Sequence, residues 1–487
     1  MGITAAAALL ILGVARSGRT VGERQEDTLF GRGKETVYLW YTDESLTAYL
    51  SSAAVKYNES HQVRVVPALE PGLEYLERIN TSTLEGNVPD LYILSHDMLE
   101  KAYLAGLAGQ AALAGDEAME EAYMGTGLSA ASYKDKILGY PFYFETSALL
   151  YNKTYLRDMA LSQLEAEADI AEGEAAQQQA DAAQEAGTLQ EDMEASPEGG
   201  TEGGRVFSEE QIEAKMQQLL PTTLEDIKTF ADNYDAPEQV EGVFKWDVTD
   251  IFYNYFFLGN AINMGGQGGW DTGQIDIYNE NAIESMKAYQ ELNQFFSIDT
   301  GEINYDKVLD EFMAGKMVFT IATTDAVFKL EQAKDDGLFV YDYGIAPTPD
   351  INENIPSGSL SLTNCVVIND YSQNREAAAD FARFITSEYN GILFARTGKV
   401  SAAKNVDYGY EALGEFAREY GQSVPMPKMI ETSNFWVKLE VAFSQIWNGA
   451  DANGKLKELS EQVMEQVTGS PYEEEYLEYA PRQEEGT

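Results

Sequence analysis

Cysteine is nearly absent: the 487 residues contain one, Cys365, and only two histidines, His61 and His96. A single cysteine excludes an intrachain disulfide and a multi-cysteine metal site. Two histidines far apart in the chain argue against a zinc site built on histidine. Within TNCVVIND, Cys365 reads as a small buried core residue rather than a reactive thiol. Positive charge is scarce too. Lys and Arg number 33 against 81 Asp and Glu, a formal net charge of −48. A field of that sign repels phosphate backbones, so nucleic acid is not an expected partner; it favours solubility and a monomer. A catalytic triad is also missing. Ser95, His96 and Asp97 are neighbours on one stretch, a poor arrangement for aiming at one another, and no GxSxG turn occurs. The glycine-rich loop MGGQGGWD (264–271) lacks the GK[ST] ending of a phosphate cradle. No cofactor and no metal are expected, and the chain shows no internal repeat.

What is present suffices for two or three domains. Hydrophobic residues make up 44% and aromatics 11% of the chain, ample for sizeable cores. Residues 3–15 form an apolar run of signal-peptide length, short for a membrane span. Export to the cell surface or beyond is the expectation, with residues 1–35 as signal peptide or membrane anchor plus linker. No cysteine follows the run, which argues against a lipid-modified cysteine as the anchor.

From residue 36 strands and helices alternate. VYLWYT (37–42) reads as a strand buried on both faces. Leu46, Tyr49, Leu50, Ala53, Ala54 and Tyr57 then share one helical face. VRVV (63–66) is a second strand, Pro71 to about Leu84 a helix with proline at its start, PDLYIL (89–94) a third strand, and Ser95–Leu107 a helix. Such alternation predicts βαβ units on a parallel sheet. Ligands of open α/β sheets bind beyond the carboxyl ends of the strands. Those ends carry Asp43 and Glu44, then Ser95, His96 and Asp97.

Residues 158–215 break the pattern. They are rich in Ala, Glu and Gln and end in PEGGTEGG, so they read as an acidic low-complexity insertion: a solvated helix followed by a glycine-rich segment. Ordered patterning resumes at LPTTLEDIKTF. An aromatic run over 250–261, helices over 280–297 and 305–313, and strands at MVFTIAT (317–323), YGIAPTP and SLTNCVVIN complete a second α/β region. REAAADFARFITSEY and residues 434–467 are helical, and an acidic tail over 471–487 reads as frayed.

Acidic side chains at strand ends accept hydrogen bonds from sugar hydroxyls, and aromatic faces stack on pyranose rings. A cleft offering both suits a carbohydrate. Asp43, Glu44, Asp97 and Glu145 could also supply a carboxylate pair for glycoside cleavage, so a carbohydrate-active enzyme is the alternative reading. No spacing among so many acids singles out such a pair, and a protein without catalysis is preferred.

Ordered motifs carry a resemblance. Over roughly 36–157 and 216–468 the chain resembles the extracellular solute-binding proteins of bacterial ABC sugar importers, of the maltose-binding-protein-like family. VYLWYTDE resembles the family's first strand and ligand loop. GNVPDLYILSHD resembles its PD…HD segment. ILGYPFYFETSALLYNKTYL is the most specific match, and PTTLEDIKTF, FMAGKMVFTIATTDA, TSEYNGILFARTGKVSAAKN and SNFWVKLEVAFSQI follow in family order. The resemblance implies an α/β fold of two lobes with an interlobe cleft and hinge crossovers near 145, 358 and 403. Lobe 1 would comprise 36–145 and 359–403, and lobe 2 146–358 and 404–470. It implies capture of an oligosaccharide, closure by hinge motion and delivery to a membrane permease of an ABC transporter. Carried over by residue, Glu145 and Asp97 match sugar-binding acids, Asp43 and Glu44 stand where the first loop offers an Asp, and Trp436 matches a stacking Trp. Leu94 and Asp325 stand where maltose binders carry Trp, which implies a different or more polar glycan; Tyr253 and Trp270 are the aromatics that would compensate.

Overall fold

The computed structural model describes residues 35–111, 116–185, 205–296, 298–432 and 434–479. The apolar run at 3–15, the PEGGTEGG segment and residues 480–487 lie outside the described residues.

Among the described residues, fourteen strands run in chain order: β1 (Glu35–Tyr41), β2 (Val63–Leu69), β3 (Leu91–Ser95), β4 (Ser132–Tyr133), β5 (Lys136–Ile137), β6 (Gly139–Asn152), β7 (Gly242–Phe244), β8 (Asn263–Met264), β9 (Ile275–Asp276), β10 (Met317–Thr323), β11 (Tyr343–Ala346), β12 (Leu360–Ile368), β13 (Val400–Ser401) and β14 (Val424–Pro425). The main sheet has the order β2-β1-β3-β12-β6-β10-β7, with β11 and β13 also on β6 and β14 on β12. β1 runs parallel to β2 and β3, as the βαβ alternation predicts. The sheet is nevertheless mixed: β12 is antiparallel to both β3 and β6, because it enters from the opposite half of the molecule rather than through a helical crossover.

β6 joins the two lobes. Its first half pairs with β12 and β13, up to Thr146. From Ser147 on it pairs with β10, and from Leu149 also with β11. Two cores flank the first half of the sheet, one around Val37, Leu39, Tyr49 and Phe142, the other around Leu76, Tyr92, Leu94 and Cys365. The largest core, with Trp246, Tyr289, Phe319 and Trp447, belongs to the second half.

Several elements depart from expectation for identifiable reasons. β1 is buried on one face only: Val37, Leu39 and Tyr41 are inside while Tyr38 is 46% exposed. The second helix starts at Tyr75 rather than Pro71, because Glu74 adopts a left-handed φ of 55° that cannot continue a helix. The stretch after β3 is a 3-10 turn, His96–Met98, then the short helix Leu99–Leu104, ended by Gly106 at φ +73°. Residues 434–467 are two helices, Phe435–Trp447 and Ala452–Thr468, separated by Gly449 at φ +96° and by Asp451, whose carboxylate caps the second helix at Gly454 N, 2.9 Å. The tail over 471–479 is docked, not frayed. Tyr278 Oη accepts from Leu477 N (3.0 Å), Asn453 Nδ2 donates to Leu477 O (2.9 Å), and Lys287 Nζ lies 4.0 Å from the Tyr479 ring centre.

The acidic insertion opens as a long helix, Lys153–Glu185, mostly exposed beyond residue 164. Helix Glu209–Leu219 returns along its base. Ion pairs of Arg157 with Glu209, Arg205 with Asp169 and Glu172, and Lys215 with Glu167 tie the two arms together. All the lysines and arginines among those partners are matched to glutamates or aspartates across the arms, which offsets the self-repulsion of an acidic segment.

Candidate functional site

β1 and β3 are parallel neighbours, so their carboxyl ends emerge on one edge. Asp43 follows β1 and caps the next turn: its Oδ1 accepts from Ser45 N (2.9 Å) and Ser45 Oγ (2.6 Å). Its Oδ2 pairs with Lys399 Nζ at 3.1 Å. The same ammonium donates to Glu145 Oε1 at 3.1 Å and sits 5.2 Å from the Tyr143 ring centre. Tyr143 and Glu145 are two apart on β6 and so share a face. β13 pairs antiparallel to β6 with Val400 opposite Phe144, which brings the preceding residue, Lys399, beside Glu145. Gly398 makes the approach possible. It ends helix Leu393–Thr397 in a left-handed conformation, φ +71°, and a Cβ there would stand 3.1 Å from the Phe328 ring of helix Asp325–Asp335.

The charges reinforce one another. Burial alone would lower the Lys399 ammonium, but the charges of Glu145 and Asp43 override it and hold it above its ordinary value. For Asp43 burial acts to raise the carboxyl, and the Ser45 hydrogen bond and Lys399 overcome this and hold it low. Beside this cluster is a cavity of about 370 Å³, walled by Thr42, Asp43, Tyr75, Leu94, Tyr143 and Asn364 among others. Tyr75 is 8% exposed and its hydroxyl has no hydrogen-bond partner. An orphaned buried hydroxyl is costly without a partner.

The other predicted residues fall into separate groups. Asp97 follows β3, accepts from Ser95 Oγ, and is raised by burial, which outweighs that hydrogen bond. His96 points the other way: buried, its Nδ1 accepts from Thr363 N (3.0 Å) and its Nε2 donates to Met426 O (2.9 Å). Burial pushes it down to about 3, so it is a neutral link between backbones. Glu44 is exposed in the turn that Asp43 caps.

Asp325 comes two residues after Thr323, the end of β10, which faces Ser147 of β6. Asp325 Oδ1 accepts from Tyr305 Oη at 2.9 Å and from Thr323 Oγ1, and its Oδ2 pairs with Lys329 at 2.9 Å. Tyr305 stacks on Tyr253, ring centres 4.7 Å apart at 19°. Tyr253 and Asp325 are thus brought together through Tyr305. Trp436, half-buried, packs on Tyr255 with ring centres 5.6 Å apart. Trp270 packs edge-on against Tyr133 at 5.9 Å. Its loop is fixed by Lys428, whose N–H donates to Gly269 O (2.7 Å). The Lys428 ammonium is buried against the carbonyls of Ser129, Ala130 and Ser132, and burial pushes it down to about 8. The contacts of Trp270 therefore group it with Lys428 and Tyr133, not with Lys399.

Sequence reasoning missed Lys399, Tyr143, Asn364, Tyr305 and Lys329. The usable signal was in TGKVSAA: a lysine between a glycine and an apolar strand, in a chain with so few cations, needs an acidic partner. Among the described residues no group of three His, Cys, Asp or Glu side chains is placed to hold a metal ion. Among them also, no helix is long and apolar enough to cross a membrane.

Known proteins share this architecture. A maltooligosaccharide ABC transporter solute-binding lipoprotein of Streptococcus pneumoniae is 22% identical over 411 residues, 81% of this chain and 80% of the relative. A galactooligosaccharide-binding protein of Bacillus subtilis is 20% identical over 469 residues, 94% of this chain and 96% of the relative. Among solved structures, an extracellular solute-binding protein from Staphylococcus aureus in complex with maltose superposes with a TM-score of 0.68 at 18% identity, covering 89% of this chain and 98% of that one. Residues 52–412 match the model of the family described as bacterial extracellular solute-binding protein, and with that match over most of its length the chain belongs to this family.

Proposed function

We propose that the protein captures an oligosaccharide between its lobes and delivers it to an ABC transporter permease, without transforming it. The observation that carries this reading is the Asp43–Lys399–Glu145 cluster. It joins the loop after β1, the middle of β6 and the residue before β13, beside a cavity walled by Asp43 and Tyr143. Carboxylates that share one ammonium are strong acceptors for sugar hydroxyls, and the aromatic wall supplies the apolar face a pyranose needs. The relatives named above, which bind maltooligosaccharide and galactooligosaccharide by their names, support the substrate class. Asp97 and Glu44 line the first lobe's edge, and Asp325, Tyr253 and Trp436 present the second lobe's contribution, with Trp270 at the margin. Leu94 and Asp325, in place of flat aromatic surfaces, favour a glycan held by hydrogen bonds over one held by stacking. Crossing near 145, 358 and 403, the chain would let the lobes close on the sugar, a shift driven by its contacts to both. The protein acts outside the cell or at its surface, as a monomer.

Calorimetry against a panel of malto-, galacto-, xylo- and manno-oligosaccharides tests this. One member should bind saturably and remain chemically unchanged after overnight incubation. No binding across the panel, or cleavage of the bound glycan that Glu145→Gln abolishes, would refute it.

A further inference from the structure

Away from the strand that joins them, the two lobes meet again on the face of the sheet opposite the Lys399 cluster. The faces are told apart along β12, whose side chains alternate. Asn364 borders the cavity beside Asp43 and Tyr143. Val366 and Ile368, on the same face, join the core that holds Val37 and Tyr143. Cys365 and Val367 turn to the other face and join the core of Tyr92, Ala131 and Tyr133. Trp270 packs against that second core, and it is there that the loop 264–271 and the segment 426–430 rest on the first lobe. Both stretches come from the second lobe, in whose core Met264 and Met429 are buried.

The seam is built around one buried cation. Lys428 is 2% exposed, and its ammonium donates to Ser129 O (3.1 Å), Ala130 O (2.8 Å) and Ser132 O (2.6 Å). Three N–H donors thus meet three carbonyls. These lie at the end of helix Gly125–Ala131, where the negative end of the backbone dipole favours a cation. Further bonds cross the seam on either side. His96 Nε2 donates to Met426 O (2.9 Å), Ile430 N donates to Glu100 Oε2 (2.9 Å), and Ser129 Oγ donates to Gln267 O (3.1 Å). A contact of this kind tolerates little sliding. An ammonium drawn off its carbonyls inside a dry seam loses partners that water does not replace, which costs more than the bonds themselves contribute.

We propose that the Lys428 seam is a counter-latch, a contact that holds the lobes apart on the Lys399 side and opposes their closure on a ligand. β6 and β12 run between the Lys399 cluster on one face and the seam on the other. Bending at the crossing that draws the lobes together on the first face therefore stretches the second. His96 ties the seam to the sheet itself, since its Nδ1 accepts from Thr363 N of β12 at 3.0 Å, so the strain is carried to the strand beside the crossing. A ligand must supply the free energy of parting the seam. The latch thus keeps the empty protein open and lowers its apparent affinity in proportion to the fraction held open. This rests on the lobe closure proposed above and adds the contact that works against it.

Lys428→Met removes the cation and keeps most of the side-chain volume. Small-angle scattering of the ligand-free full chain should then give a smaller radius of gyration than in the parent. Calorimetry with the oligosaccharide of the panel that the parent binds should give an affinity about threefold or more tighter. Ser129→Ala deletes only the bond to Gln267, at a partly exposed position. It should shift both readings in the same direction by less, and it keeps the test decisive should Lys428→Met fail to fold. The scattering arm uses no sugar. A parent that binds no member of the panel would therefore refute the oligosaccharide reading, and the radius of gyration alone would then decide on the latch. An unchanged or larger radius of gyration in the variants that fold, or an unchanged or weaker affinity for a sugar that the parent binds, would each overturn the proposal.

Discussion

Lys399 holds two carboxylates that come from different parts of the chain, so its removal leaves both facing each other without a counter-charge. Lys399→Met should weaken oligosaccharide binding by about tenfold or more, roughly 1.4 kcal/mol, while Lys399→Arg retains most of it; calorimetry distinguishes the two. The pair also sets a pH window. Asp43 is lowered, so its contribution is complete above about pH 4 and is lost as pH falls through its folded value. Lys399 is raised, so its contribution is complete below about pH 10 and is lost as pH rises through its folded value. His96 acts at milder acidity. Its folded value of about 3 lies below the ordinary value near 6.5. Stability from keeping it neutral is full above about pH 6.5 and declines as pH falls toward 3, with a slope approaching about 1.4 kcal/mol per pH unit. Urea denaturation at pH 7, 6 and 5 should show a flatter pH dependence in His96→Gln than in the parent. Asp97, raised and opposite in sign, is common to both proteins and cancels in the difference. Equal slopes would mean that the imidazole is charged in the folded state.

At the scale of elements, Gly259 and Gly358 bring two backbones close together beside the connection from β11 to β12. A Cβ on Gly259 would fall 1.9 Å from Gly358 O, and Gly358 N donates to Phe256 O at 3.1 Å. Gly259→Ala must therefore displace backbone. It should lower the melting temperature by several degrees, a cost of about 1–3 kcal/mol; an unchanged melt would show that the crossing yields freely. Elements with strong periodicity are legible in the sequence alone. The face of Tyr49, Leu50, Ala53, Ala54 and Tyr57 is the buried face, and MVFTIAT is β10 residue for residue. What local pattern missed was decided by single backbone conformations or by distant partners. Glu74 and Gly449 set helix boundaries through left-handed dihedrals that neighbouring residues do not announce. The tail over 471–479 has no periodicity of its own and is held by Tyr278, Asn453 and Lys287, far away in the chain. In the candidate site, Asp43 could be singled out as an acid at a strand end, and Glu145 as the lone carboxylate in the apolar stretch that became β6. Lys399 could be suspected of needing an acid, but which acids it meets is set only by the register of β13 on β6.

For the whole molecule, the two described arms of the acidic insertion are tied together at their base. Arg205 Nη1 donates to Glu165 O at 3.1 Å, so the two backbones lie within reach of one arginine side chain and residues 166–204 can be replaced by a short glycine linker. That deletion should leave oligosaccharide affinity within about twofold and the melting temperature within a few degrees. A large loss of affinity, read by the same calorimetry, would show that the hairpin belongs to the binding surface.

β6 has a mechanical meaning as well. One unbroken strand of fourteen residues is hydrogen-bonded at its start into one lobe and at its end into the other. Neither lobe can then be cut out as a contiguous stretch of gene, and neither can be pulled open without loading the strand that the other depends on. The protein should melt and resist force as one unit, with the hinge flexing as a leaf spring does: bending along its length while its two ends stay clamped.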